Sequence, residues 1–163
     1  MGQYHYIVNL DRKEYLHPHQ LGIGLKAWEQ IASHPSTPDA LFMLLTCSNG
    51  RGGGDFAEDR GQERVIGRWA GDRIAVVGDY AENGDIRRPT PHPVSSIYRL
   101  CTEGRYREIS EWVRPLLAAE LGVKYVARPW RVRGLDGKTT RHLSWEVRHD
   151  PRASFSVLEP PAK

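Results

Sequence analysis

The chain has 163 residues, of which 39 % are hydrophobic and 26 % charged, and a formal net charge of +3. That length fits one domain able to bury its own core, and that composition is too apolar for a disordered chain. The longest apolar run, residues 40–45, falls far short of the ~20 residues a membrane-spanning helix needs, so no membrane partner is expected.

The opening "YHYIVNL" is rich in aromatic and β-branched residues and predicts a strand. Apolar groups fall on both of its faces, which suits the centre of a sheet. "DRKEYLHPHQ" leads into a predicted helix with Leu21, Leu25, Trp28 and Ile31 or Ala32 along one face. Gly22 and Gly24 would each weaken its first turn by about 1 kcal/mol relative to alanine, so another backbone or a ligand is expected to come close there. Thr37 predicts a helix cap, Pro38 suits the first helical position and Asp39 suits the positive helix end. Residues 41–47 then fit a buried helix or, alternatively, a strand.

After a glycine-rich loop, "RVIGRWAGDRIAVVGDY" predicts two strands joined by a turn at Gly71 and Asp72. Pro89, Pro91 and Pro93 predict an extended loop. "SSIYRLC" predicts a short helix capped by Ser95. "ISEWVRPLLAAELG" predicts a longer one capped by Ser110, ended by Gly122 and kinked at Pro115. Trp112, Val113, Leu116, Leu117 and Leu121 share one broad face of it. "KYVARPWRVRGLDGKTTRHLSWEVRH" predicts a hairpin turning at Asp136 and Gly137, with Val132 and Leu143 or Trp145 pointing inward. Residues 1–150 read as one domain and 151–163 as a loose C-terminal tail. Strands and helices mix without strict alternation. The fold class is therefore α+β, an antiparallel or mixed sheet with helices packed mainly on one face.

Cys47 and Cys101 lie far apart, each flanked by apolar residues, and read as free thiols in the core. The N-terminal "MGQYHYIVNLDRKEY" lacks the basic start and apolar stretch of a secretion signal, so a cytoplasmic location is expected.

Three stretches carry candidate chemistry. In "SNGRGGGDF", Gly52, Gly53 and Gly54 let successive backbone N–H groups face one concavity, a nest that suits an anion. Arg51 would clamp the same anion, with Asn49 beside it. Asp55 would hold a metal, a ribose hydroxyl or a catalytic water. The Lys-Ser/Thr of a Walker loop and the strand–helix context of a dinucleotide fingerprint are both missing, and a plain surface loop fits the same text. In "EYLHPHQLGIGLK", His17 and His19 have the spacing of two imidazoles sharing a divalent metal, for which Asp55 is one further candidate ligand. His19 also suits acid–base work, and Lys26 suits anion binding. In "GRWAGDRIAVVGDY", Arg73 is a candidate ligand-binding residue and Asp79, at a strand end, a candidate catalytic one; acids and arginines at a turn also fit surface ion pairs.

Residues 124–152 hold eight Lys or Arg against three acids, together with Trp130 and Trp145. Such a hairpin would track a phosphate backbone while a tryptophan stacks a base. A solvated basic face opposite a tryptophan core gives the same pattern.

The strings "YHYIVNL", "PHQLGIGLK", "NGRGGGD" and "GRWAGDR" together resemble a family of small bacterial and phage proteins in which they occur in this order. The resemblance covers the first half of the chain and brings no activity with it. Two expectations of function follow from the residues. One is a nucleotide- or phosphate-binding protein, as a hydrolase or transferase, with its pocket at the glycine-rich loop. The alternative is a non-catalytic module that binds nucleic acid through the hairpin 124–149, or a partner protein.

Overall fold

A computed structural model describes residues 2–57, 63–134 and 137–149, with Val132 described by its backbone alone. The tail predicted over 151–163 and Asp136 of the predicted turn lie outside the described residues.

The first strand, β1 (His5–Asn9), sits in the middle of a four-stranded sheet, as its two apolar faces require. On one side it pairs antiparallel with β2 (Glu14–Leu16), and on the other with β3 (Ile74–Gly78). The short β4 (Arg107–Glu108) adds to β2 in parallel, so the sheet is mixed, in the order β3-β1-β2-β4.

Helices cover the sheet mainly on the side of Ile7 and Leu16. There α2 (Thr37–Leu45) and α4 (Ser110–Leu121) supply Ala40, Met43, Leu44, Val113 and Leu117 to a core that also holds Leu21, Ile23, Val65 and Trp69. The short α1 (Ala27–Ala32) sits beside them; its buried Gln30 donates to the carbonyls of His5 and Leu25. On the opposite side, α3 (Val94–Thr102) packs Ile97 and Cys101 against Tyr6, Val8, Tyr15 and Val77. The fold is α+β. Among the described residues no helix is long and apolar enough to cross a membrane.

Several expectations are corrected. Residues 17–26 are not helical: Pro18–Leu21 is one 3-10 turn, and α1 starts only at Ala27. Trp28 and Ile31, assigned to a buried face, are 77 % and 58 % exposed. Residues 64–73 form turns rather than a strand, leaving β3 as the single strand of that stretch. The cap of α2 is Ser36, not Thr37. Its hydroxyl accepts from the Asp39 N–H, and the Asp39 carboxylate accepts from the Ser36 N–H in return. Helix α3 follows Pro93 without a side-chain cap, and Ser110 is the first residue of α4 rather than its cap. Cys47 is exposed; only Cys101 is a core thiol, pushed up to about 12 by burial.

The C-terminal hairpin is a separate two-stranded sheet, β5 (Val123–Arg133) and β6 (Thr139–His149), paired along its whole length. Gly122 ends α4 in the left-handed conformation and turns the chain into β5. Only the base of this ribbon is tucked in. Trp145 donates to Gln20 Oε1 at 3.0 Å, and the Arg114 guanidinium lies 4.1 Å from its ring centroid. The described side chains of 127–143 are all exposed, Leu143 among them at 45 %, so that of the two alternatives for the inward position it is Trp145 that turns in. At about 3.3 Å per residue, residues 127–133 carry the arm roughly 20 Å beyond its base.

Candidate functional site

The motif "GRWAGDR" is spent on structure. Gly67 has φ +73°, and a Cβ there would stand 2.6 Å from the Thr46 carbonyl oxygen. That close approach lets the Gly67 and Trp69 N–H groups bond the Met43 and Leu44 carbonyls at the end of α2. Arg68 forks onto the buried Glu14, at 2.6 Å from Nη2 to Oε1 and 2.9 Å from Nε to Oε2. The buried Trp69 indole donates to the same carboxylate at 2.9 Å. Asp72 accepts from Asn9 and Arg12, both at 2.8 Å. Arg73 forks onto Asp11 and donates to the Pro89 carbonyl. The acids and amide of "NLDRKE" thus lock onto the bases and acid of "GRWAGDR".

The glycine-rich loop has a similar internal explanation. Asp55 Oδ2 accepts from the Arg51 N–H at 2.7 Å and the Gly52 N–H at 3.0 Å. Those bonds, Gly52 first, hold the Asp55 carboxyl below the usual carboxylate range. The Asn49 side chain pairs both ways with the Phe56 backbone, at 3.1 and 3.0 Å. Gly50 and Gly54 have φ +83°, which demands glycine. Gly52 and Gly53 have ordinary φ and open space around them. The nest is therefore filled by the chain's own anion. The adjoining cavity, about 270 Å³, is walled by Asp39, Asp55 and Glu120 among apolar groups of α2 and α4. Its acidic wall repels a phosphate, and Arg51 is not among its lining residues.

His17 and His19 do approach, with ring centroids 5.6 Å apart. Burial, and then the neighbouring His19, push His17 down to about 4, so it is neutral at pH 7 with its Nδ1 unpartnered. Among the described residues no three His, Cys, Asp or Glu side chains assemble as a metal site. His19 lines a different cavity from Asp55, and Arg73 a third. The exposed Asp79 exchanges hydrogen bonds with Tyr4, accepting from its N–H at 3.1 Å and donating to its carbonyl at 3.0 Å, beside the end of β3. Lys26 precedes α1, its N–H donating to Glu29 at 3.1 Å and its side chain lying along Gly2. The candidate residues therefore do not converge on one cavity.

The arm is different. Strand alternation and the register Arg131↔Arg141 place Arg131, Arg133 and Arg141 on one exposed face. None of the three has a carboxylate partner among the described residues. On the other face Trp130 stands opposite His142, with ring centroids 4.9 Å apart, and Arg128 and Arg148 share the single carboxylate of Glu146. Beneath Trp130 a cavity of about 370 Å³ opens between the ribbon and residues 19–24. Single-residue motifs drew attention to the glycine loop. The arm's signal was weaker, a basic and aromatic bias with period two.

No family model, curated protein or solved structure matches the chain.

Proposed function

We propose that this protein is a non-catalytic nucleic-acid-binding module that lays the β5–β6 arm along a phosphate backbone. The observation that carries this reading is an arginine face with no carboxylate partner among the described residues. Arg131 stands directly opposite Arg141, and like charges in that relation oppose strand pairing. A polyanion turns that repulsion into attraction and releases counterions as it binds. A phosphate at the glycine-rich loop would have to displace Asp55 beside two further carboxylates. The arm demands no such displacement.

The test is anisotropy of labelled 20-mer DNA and RNA at 50 and 200 mM salt, with wild type and the triple variant R131Q/R133Q/R141Q. The expected result is binding that weakens steeply with salt and is lost in the variant. Absence of binding by wild type at 50 mM salt, or equal binding by the variant, would refute the reading.

A further inference from the structure

The cavity at the root of the arm differs in chemistry from a phosphate site. One wall is the ribbon, with Trp130 and Ser144 from one of its faces and Trp145 from the face that carries the arginines. By register Trp130 and Ser144 belong to the same face, since their cross-strand partners are His142 and Arg128. The other wall is the turn that carries His19, Gly22, Ile23 and Gly24. Gly22 and Gly24 present backbone to that wall, the space beside them being taken by Val147 and the Trp145 carbonyl at one and by the Glu29 side chain at the other. At about 370 Å³ the cavity falls within the ~300–1,000 Å³ of small-ligand sites.

Its polar groups are few and placed to read an edge. The Ser144 hydroxyl donates to the Arg128 carbonyl at 3.3 Å and keeps its lone pairs as acceptors. The His19 carbonyl accepts from the Gly22 N–H at 3.3 Å, while its ring makes no hydrogen bond to another described residue. Burial lowers its pKa, so it offers one donor and one acceptor. The Trp130 indole is 45 % exposed, with His142 as its aromatic neighbour. A flat aromatic surface, a neutral donor–acceptor pair and a hydroxyl match a planar heterocycle. Two arginines sharing one carboxylate on the same face supply charge for the phosphates on either side of it.

On the footing of nucleic-acid binding by the arm, we infer that this cavity takes one unstacked nucleobase against Trp130, which makes the protein selective for single strands. A base held in a duplex has both faces stacked and cannot enter. A single strand crossing the edge of the arm keeps its phosphates on the arginines and turns one base into the cavity.

The experiment compares three labelled ligands at 50 mM salt: a 12-mer of thymidylate, an abasic strand of the same length and charge, and a 12-base-pair duplex. Wild type is expected to bind the thymidylate strand at least tenfold more tightly than the abasic strand, the range that stacking of a base on an aromatic ring supplies. Trp130→Ala should bring the thymidylate affinity down to the abasic value and leave the abasic affinity unchanged, which also reports that the arm is intact. Trp130→Phe should restore most of the preference. Equal wild-type affinity for thymidylate and abasic strands, a preference that survives Trp130→Ala, or tighter binding of the duplex overturns the base pocket while leaving backbone binding by the arm in place. Failure to bind any of the three ligands removes both.

Discussion

Glu14 shows how much of this fold is held by single charged side chains. Its carboxylate is 6 % exposed and receives three hydrogen bonds from Arg68 and one from Trp69 that lie within 3.2 Å. Burial alone would raise its pKa, but the bonds from Arg68 and Trp69 outweigh that and hold it below the usual range. Arg68 in turn stacks over Trp112 at 4.8 Å, so the pair ties β2, the turns 64–73 and α4 together. Glu14→Gln leaves the buried guanidinium with only the more exposed Glu63, 3.2 Å away, as counter-charge, and loss of a buried partner costs up to about 3–5 kcal/mol. Because the folded pKa is depressed, the stability this group contributes is fully present above the unfolded value of about 4.3 and is lost as pH falls through the folded value. Chemical denaturation should therefore show a gap of that size between wild type and Glu14→Gln at pH 7, closing below about pH 4. A gap that persists unchanged at pH 3 would mean that the cost is packing rather than charge. Asp55 makes the contrasting case at the same scale. In the string "GRGGGD" its aspartate reads as a ligand or a catalyst, yet two N–H bonds make it the anion that its own loop was shaped to hold. Composition cannot distinguish a nest awaiting an anion from one that carries its own.

Elements whose signal is local were legible, and those set by contact were not. The strand β1 and the helix α4 follow directly from periodicity, because both bury continuous apolar sets: Tyr6, Ile7 and Val8 in one, Val113 and Leu117 in the other. Pro115 is accommodated within α4, which runs unbroken from Ser110 to Leu121. The apparent helix from Leu21 to Ile31 was an accident of spacing. Leu21 and Ile23 are buried two residues apart by a 3-10 turn and a left-handed Gly22, Leu25 packs partly buried against the opposite core, and Trp28 and Ile31 face solvent. What fixes this segment is β6, more than a hundred residues on: a Cβ at Gly22 would meet the Val147 side chain at 2.6 Å and the Trp145 carbonyl oxygen at 3.0 Å. The close approach expected at Gly22 is thus real, made by the Val147 side chain and the Trp145 backbone of the arm's base, whereas at Gly24 the near group is the Glu29 side chain rather than a backbone. Gly22→Ala carries both a left-handed backbone penalty of about 1–2 kcal/mol and a clash with a strand that cannot rotate away. It should lower the thermal midpoint by several degrees, whereas Ala at Gly52 or Gly53, where nothing lies within 4 Å, should leave it within a degree or two. Equal effects at the two places would dissociate Gly22 from the docking of β6.

At the scale of the whole molecule the chain separates holding from reaching. The strings "YHYIVNL" and "GRWAGDR" are consumed by the four-stranded sheet and its clamps and "NGRGGGD" closes on its own Asp55, while the basic, aromatic hairpin leaves the body as a ribbon. The sequence showed that ribbon as a hairpin of mixed charge and tryptophan, but its exposure depends on where the body stops, which no local pattern encodes. The body ends at the base of the ribbon, where Val123 is buried and Tyr125, Trp145 and Val147 are half-buried. Beyond it, an isolated pair of strands adds little to stability. Removing 129–143 and joining Arg128 to Ser144 through Asn-Gly, a two-residue turn suited to antiparallel partners, therefore tests the separation directly. The expected cost is the Gln20 hydrogen bond to the Leu143 carbonyl and a few exposed contacts. That is about 1 kcal/mol, or roughly 2–4 °C in thermal midpoint for a domain of this size. Nucleic-acid binding should disappear in the same variant. A fall in midpoint of more than about 10 °C would place the arm within the cooperative core. A shortened protein that still binds as wild type does would move the interface to the body, where Arg87 and Arg88 line one cavity with the paired Arg73.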